Sequence, residues 1–301
     1  MDSARDRHTL EIVDAEELLA LEHVDQEGYI CRGCAARVIP SAYRPENKVR
    51  PYFKVHDEHQ EDCDVEAELK LVAKGKKQRL RTRDGFPGSY PDRLILRDYR
   101  NVVGLEDGAN LPVGGPHGWP SGGRGGAPSI KNCPRSAGTI RPICRTFIRY
   151  PHDRDLPLHV PGIEQKIYMT VFKRFKWEPI EVFSGKRIFY APIQWGRPEE
   201  NEHYLQITLS AGAAADNRLK QPYRVRIEWA DWGPGRRTAV NSELEIAREE
   251  SIKETKAGHK EKKGYVFFIG DQDAADPTLF HVHDHRLICA LVDEIRYPPR
   301  K

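Results

Sequence analysis

Three cysteines and a histidine near the front of the chain have the spacing of metal ligands. Cys31-Arg32-Gly33-Cys34 is a C-x2-C pair. Its short interval lets two thiolates reach one ion, and Gly33 eases the tight turn between them. His59 and Cys63 follow with three residues between them. A helix starting one turn ahead of Asp64 would point both side chains the same way, at i and i+4. Cys31, Cys34, His59 and Cys63 make a Cys3His set whose soft donors suit a tetrahedral Zn2+. Four protein ligands leave no open position for a substrate, so the expected role of the ion is structural. His56 competes with His59 for the fourth place. Cys133, Cys144 and Cys289 have no ligand spacing and read as small buried hydrophobes.

Directly after this set comes a basic run. Lys70, Lys74, Lys76, Lys77, Arg79, Arg81 and Arg83 fall within fourteen residues that hold no acid. Such a run is suited to phosphate backbones, where affinity grows with each phosphate neutralised. The competing reading is a solvated face balanced by the acidic residues before Tyr29. A second basic and aromatic stretch runs from Lys166 to Trp177. As a strand it places Tyr168, Phe172 and Arg174 on one face and Lys173, Phe175 and Trp177 on the other. Aromatic faces beside cations can stack and track single strands, although tyrosine and phenylalanine are equally ordinary core residues.

Other chemistry is thinner. His281-Val282-His283-Asp284-His285 puts two histidines on one strand face and allows an alternative reading as a metal-dependent hydrolase. The plainer view makes Asp284 the N-cap of a last helix. The glycine-rich residues 114–126 are followed by no Gly-Lys-Ser/Thr and cannot serve as a phosphate loop. No nucleophile elbow or kinase motif occurs.

The elements that must position these groups follow from pattern. Asp14 caps a short acidic helix, and Tyr29–Cys34 and Arg37–Ile39 read as short strands around the cysteine knuckle. Asp64–Lys74 reads as a helix with Val65, Leu69 and Val72 on one side. Half of residues 104–129 are Gly or Pro, which suits neither a helix nor a central strand. The chain therefore divides into a zinc module with its basic tail (1–103), a linker or loop (104–138) and a β-rich domain (139–301). Strands are expected over Ile140–Tyr150, Lys166–Phe175, Arg187–Ile193, Tyr204–Ser210, Tyr223–Ala230 and Tyr265–Ile269. Helices are expected near 242–255, with Ser242 and Glu245 as a capping box, and near 284–296. The predicted class is α+β, with a C-terminal antiparallel sheet or OB-like barrel carrying two helices.

Composition sets outer bounds. Of 301 residues, 48 are Lys or Arg and 45 are Asp or Glu, so the formal net charge is only +3. Nothing approaches the ~18 apolar residues of a membrane span, and no apolar stretch follows the charged N-terminus as a secretory signal would. A cytoplasmic protein without membrane contact is expected, with its cysteines reduced or metal-bound.

The segments Tyr29-Ile30-Cys31-Arg32-Gly33-Cys34, Pro51-Tyr52-Phe53 and His59-Gln60-Glu61-Asp62-Cys63 together resemble the N-terminal zinc-finger segment of CoiA-like competence proteins. The resemblance covers about residues 29–63. Those proteins typically carry a His-Phe-x-His run, whereas Tyr52 precedes Phe53 here and the next histidine is His56. The nuclease-like region of that family has no counterpart after residue 63. The resemblance implies a bacterial DNA-handling or phage-defence setting. The expected function is a zinc-stabilised, non-enzymatic protein that binds nucleic acid, with DNA as the expected partner. The alternative is an interaction or sensor subunit held by a protein partner in a larger complex.

Overall fold

The computed structural model describes residues 1–10, 12–21, 23–44, 47, 49–60, 63–96 and 135–299. The Gly/Pro-rich stretch and Cys133 lie outside the described residues. Within them the protein is mixed α/β, with four α-helices and five small sheets, none of which closes into a barrel.

The N-terminal unit is built from very short pieces. β1 (Ser3–Asp6), β2 (Ile12–Asp14) and β3 (Tyr29–Ile30) pair antiparallel in the order β2-β1-β3. A 3-10 turn over Ala15–Ala20 follows Asp14, and the Glu17 side chain accepts from the Asp14 backbone N–H at 3.4 Å. β4 (Val38–Ser41) and β5 (Tyr52–Val55) form a hairpin. These elements are too short to bury much surface. Their core is Ala4, Ala15, Leu18, Tyr29, Val38 and Phe53 together with the three cysteines. So small a core needs a further crosslink to hold one conformation.

α1 (Asp64–Gly75) carries the chain away from this unit. Leu71 and Val72 pack against a larger core that also contains Leu80, Phe86 and Leu94, so the basic run is laid along the rest of the molecule. β6 (Pro91–Leu94) pairs in parallel with β7 (Arg135–Ala137). α2 (Arg141–Arg149) and the single turn α3 (Tyr168–Val171) follow.

Two open sheets form the remainder. β8 (Phe172–Arg174), β9 (Ile188–Pro192), β13 (Lys263–Phe268) and β16 (Ile288–Asp293) make one, in the order β16-β13-β9-β8. β10 (Glu199–Glu200), β11 (Tyr204–Ala215), β12 (Arg218–Glu228), β14 (Asp271–Gln272) and β15 (Leu279–Val282) make the other, in the order β10-β11-β12-β15-β14. α4 (Pro234–Lys256) packs against β13 and β16. The first sheet is buried on both faces. Tyr265 and Phe267 of β13 face the core shared with α2, while Val266 and Phe268 face the core shared with α4 and the second sheet. That alternation within a continuous apolar run marks a central strand.

Several expectations need correction. Residues 284–296 are no helix: a 3-10 turn spans His285–Leu287 and β16 follows. Ile288 and Ala290 face one core, Cys289 and Leu291 the other. A strand buried on both sides and a buried helix look alike in sequence. The reverse happens at Ile140–Tyr150, which forms α2 rather than a strand. There Ile143 and Phe147 share a helical face, and the β-branched and aromatic residues concealed the period. Lys166–Phe175 is α3 followed by β8. α4 begins at Pro234 with Gly233 as N-cap, leaving Ser242 and Glu245 inside the helix. The sheets are not purely antiparallel, since β6/β7, β8/β9 and β12/β15 pair in parallel. β11 and β12 form a long hairpin through Asp216 and Asn217, both left-handed (φ 53° and 55°).

Candidate metal centre

The knuckle forms because the chain folds back tightly between β3 and β4. Cys31 N–H donates to Ala36 O at 2.6 Å, and Ala35 N–H donates to Cys31 O at 3.1 Å. The left-handed residue of this turn is Ala35 (φ 58°), not Gly33. Gly33 contributes differently, through a backbone N–H 3.4 Å from Cys31 Sγ, the type of second contact that steadies a thiolate ligand. On the other side, Cys63 is the N-cap residue of α1, and its N–H donates to Gln60 O at 3.0 Å. His59 itself lies outside regular structure, ahead of α1.

The ligand atoms of Cys31, Cys34, His59 and Cys63 all lie within 4.8 Å of one another. Cys31 Sγ is 3.7 Å from Cys63 Sγ, and His59 Nδ1 is 3.2 Å from Cys34 Sγ and 3.3 Å from Cys63 Sγ. Tetrahedral ligands at ~2.3 Å (sulfur) and ~2.0 Å (nitrogen) place sulfurs about 3.8 Å apart and sulfur and nitrogen about 3.5 Å apart. The four residues fit a single metal ion. His56 is not among them: it is exposed, and its Nδ1 lies 2.8 Å from Asp57 Oδ1. All three cysteines are buried. Burial opposes ionisation of Cys34, yet the contact with His59 and backbone N–H groups bring its thiol down to about 6. At Cys63 burial and the neighbouring Cys34 and Cys31 push the thiol up to about 12.

Ion pairs fasten this unit to the rest. Arg32, inside the knuckle, pairs with Glu68 of α1, which also accepts from Arg149 of α2 at 3.3 Å. Arg145 reaches Asp14 at 3.2 Å and Glu16 at 2.9 Å. Sequence reasoning missed Arg141 and Arg145 because their i, i+4 relation is visible only once 141–149 is read as a helix.

The basic run divides. Lys76 is held by Asp293 at 3.0 Å, and Arg79 and Arg81 are both held by Asp155, at 2.6 and 3.3 Å. Lys70, Lys74, Lys77 and Arg83 are exposed and have no acidic partner among the described residues. The stretch from Tyr168 to Trp177 does not present a stacking face. Tyr168 and Phe172 are 1% and 7% exposed and belong to the core. Lys173 pairs with Glu181 at 2.8 Å, and Arg174 lies over the Tyr297 ring. Trp177 is 52% exposed, with Nε1 donating to Ser210 O at 3.1 Å.

The histidines near the C-terminus do not assemble as a metal site. His281 Nδ1 is 2.6 Å from Glu228 Oε1, and its Nε2 is 3.2 Å from Asp273 Oδ2. Asp284 caps the 3-10 turn by accepting from Arg286 N–H at 2.9 Å. His281 and His283 share a strand face with ring centroids 6.4 Å apart, but Asp284, the acid expected to join them, is engaged by Arg286 at 2.7 Å. No described helix is long and apolar enough to cross a membrane. No family model matches the chain, and neither a curated protein nor a solved structure matches it.

Proposed function

We propose that this chain is a zinc-stabilised protein that binds nucleic acid, with DNA as the preferred partner, by contacting phosphates along α1 and the residues just after it. The observation that carries the reading is the continuity of two features. Cys63 is at once a candidate metal ligand and the N-cap of α1, and the exposed cations Lys70, Lys74, Lys77 and Arg83 follow on and beyond that helix. An ion held at Cys63 would fix the start of the helix, and the helix would then present its cations in a set arrangement.

Zinc is the metal the donor set favours. Three thiolates and one imidazole select a borderline-soft ion of tetrahedral habit, and four protein ligands close its coordination. The ion's contribution is therefore to folding rather than to catalysis. The resemblance of residues 29–63 to CoiA-like proteins supports a bacterial DNA-handling or defence setting.

Four exposed cations correspond to a slope of about −3.6 when the logarithm of affinity is plotted against that of salt concentration for duplex DNA. Fluorescence anisotropy with short duplex and single-stranded DNA, from about 50 to 200 mM salt, measures this slope. The proposal expects a slope between about −3 and −4. Absence of binding at the lowest salt would end it.

A further inference from the structure

Arg154 is a guanidinium in the interior with no acidic partner among the described residues. It sits in the turn after α2 and is 8% exposed. Its Nε donates to Phe147 O at 3.1 Å, and its Cζ lies 3.8 Å over the Phe147 ring centroid. Its Nη2 is buried without a hydrogen-bond partner. A second guanidinium, Arg174 at the end of β8, likewise buries an unpartnered Nε. Both approach one aromatic ring: the Cζ atoms of Arg154 and Arg174 are 5.2 and 5.0 Å from the Tyr297 centroid. The Tyr297 hydroxyl is 2.8 Å from that of Tyr190.

Four nearby acids have partners outside the cluster. Asp153 accepts from the backbone N–H groups of Leu80 and Arg81, each at 2.9 Å, and Asp155 is held by Arg79 and Arg81. Asp293 pairs with Lys76, and Glu294 with Arg296 at 2.7 Å. Burial pushes the Tyr190 hydroxyl well above its ordinary value, so it remains a neutral donor. Among the described residues the cluster brings together two guanidiniums and two hydroxyls, and no carboxylate forms an ion pair with either guanidinium.

Buried charges are ordinarily paired, because desolvation is costly and aromatic faces repay only part of it. Two guanidiniums and two hydroxyls gathered at one aromatic ring offer the kind of donors that phosphate oxygens accept. The Tyr297 ring contacts both guanidiniums. It is 48% exposed and lies beyond β16, in a stretch without regular structure, so the cluster borders solvent on that side.

We propose that Arg154, Arg174, Tyr190 and Tyr297 form a binding site for a phosphate group. This site is separate from the metal centre and from α1, and it stands or falls independently of the DNA reading.

The test is thermal unfolding of the full chain in increasing inorganic phosphate against chloride at matched ionic strength, since a ligand of the folded state raises the midpoint. A parallel arm compares a 5′-phosphorylated dinucleotide with its 5′-hydroxyl form. Stabilisation by inorganic phosphate identifies a free anion as sufficient, and stabilisation by the phosphorylated dinucleotide alone identifies a nucleotide's terminal phosphate. Arg174→Gln, at a partly exposed position, should weaken either effect at least ~10-fold. Arg154→Lys, which keeps the charge but loses the fork, should also weaken it. No shift with either ligand, or an equal shift in Arg174→Gln, overturns the proposal.

Discussion

The Arg141 guanidinium donates to the Glu16 carboxylate at 3.0 Å, joining the 3-10 turn of the N-terminal unit to α2 across 125 residues of sequence. Both side chains are nearly inaccessible, and Arg141 also pairs with Glu243 of α4. Burial works against the charge on Glu16, yet Arg141 and Arg145 hold it below the ordinary carboxylate range. At Glu243 burial prevails, and the carboxyl is raised. One arginine thus anchors three segments, and the arrangement depends on its charge.

Arg141→Met should therefore destabilise the protein by about 3–5 kcal/mol, because it leaves Glu16 and Glu243 buried without their shared cation. Urea unfolding measures the change. Replacing both acids by Gln in the Arg141→Met background should recover a large part of it. A loss below ~1 kcal/mol would show that the carboxylates find water or neutralise at little cost.

Glu17 predicts a pH dependence of stability. Burial, followed by the negative charge of Asp14, pushes its carboxyl from an ordinary value of 4.5 up to about 8. Between those values the folded chain keeps a proton that the unfolded chain gives up. Stability from this group is present in full below pH 4.5 and falls as pH rises towards 8, by at most ~1.4 kcal/mol per pH unit. Glu17→Gln is neutral in both states and should flatten that decline, as chemical denaturation at pH 5, 6.5 and 8 would show. An unchanged slope would mean that Glu17 is ionised in the folded protein.

The candidate ligands were legible in the sequence because short spacings constrain geometry directly: Cys31 and Cys34 cannot be far apart, and neither can His59 and Cys63. Spacing alone favours His59 over His56 only modestly, because the position of either histidine depends on a loop whose path the folded chain defines. Strands such as β9 and β13 were readable from β-branched and aromatic runs. β16 and α2 were misread for opposite reasons. β16 is apolar on every side because both its faces are covered, and α2 owes its helical state to packing rather than propensity. The neutralisation of Lys76, Arg79 and Arg81 could not be read at all, because Asp155 and Asp293 lie far away in sequence.

That neutralisation separates cations that can release counterions from those that cannot. Lys77→Gln should reduce the steepness of the salt dependence of DNA binding by ~0.9, the share of one phosphate contact. Arg79→Gln, whose guanidinium is 2.6 Å from Asp155, should leave it nearly unchanged. Equal effects of the two variants would show that the ion pairs dissolve when DNA binds.

Gly75 sets how closely α1 approaches α2. A Cβ at this position would lie 2.5 Å from Tyr150 Cδ1 and 2.9 Å from its Cε1, closer than packed atoms tolerate. Although alanine is the better helix former, Gly75→Ala should cost about 1–3 kcal/mol through overpacking. A stability gain in thermal unfolding would show that the Tyr150 ring turns away freely.

The metal centre makes the sharpest prediction, because its ligands differ in what they must give up to bind. All three thiols must be thiolates in the loaded site. Burial and its neighbouring thiols hold the proton on Cys63, up to about 12, whereas Cys34 opens near 6 despite its burial. Loading at neutral pH therefore expels a proton from Cys63, and apparent zinc affinity should tighten about tenfold per pH unit for that proton between pH 6 and 8. Competition with a chromophoric chelator reads this directly. His59→Ala should lose the ion and loosen the small core around Phe53, while His56→Ala should keep full metal content by mass spectrometry. Metal retention in His59→Ala with loss in His56→Ala would reassign the fourth ligand, and a well-folded N-terminal unit without metal would remove the ion from the account of its stability.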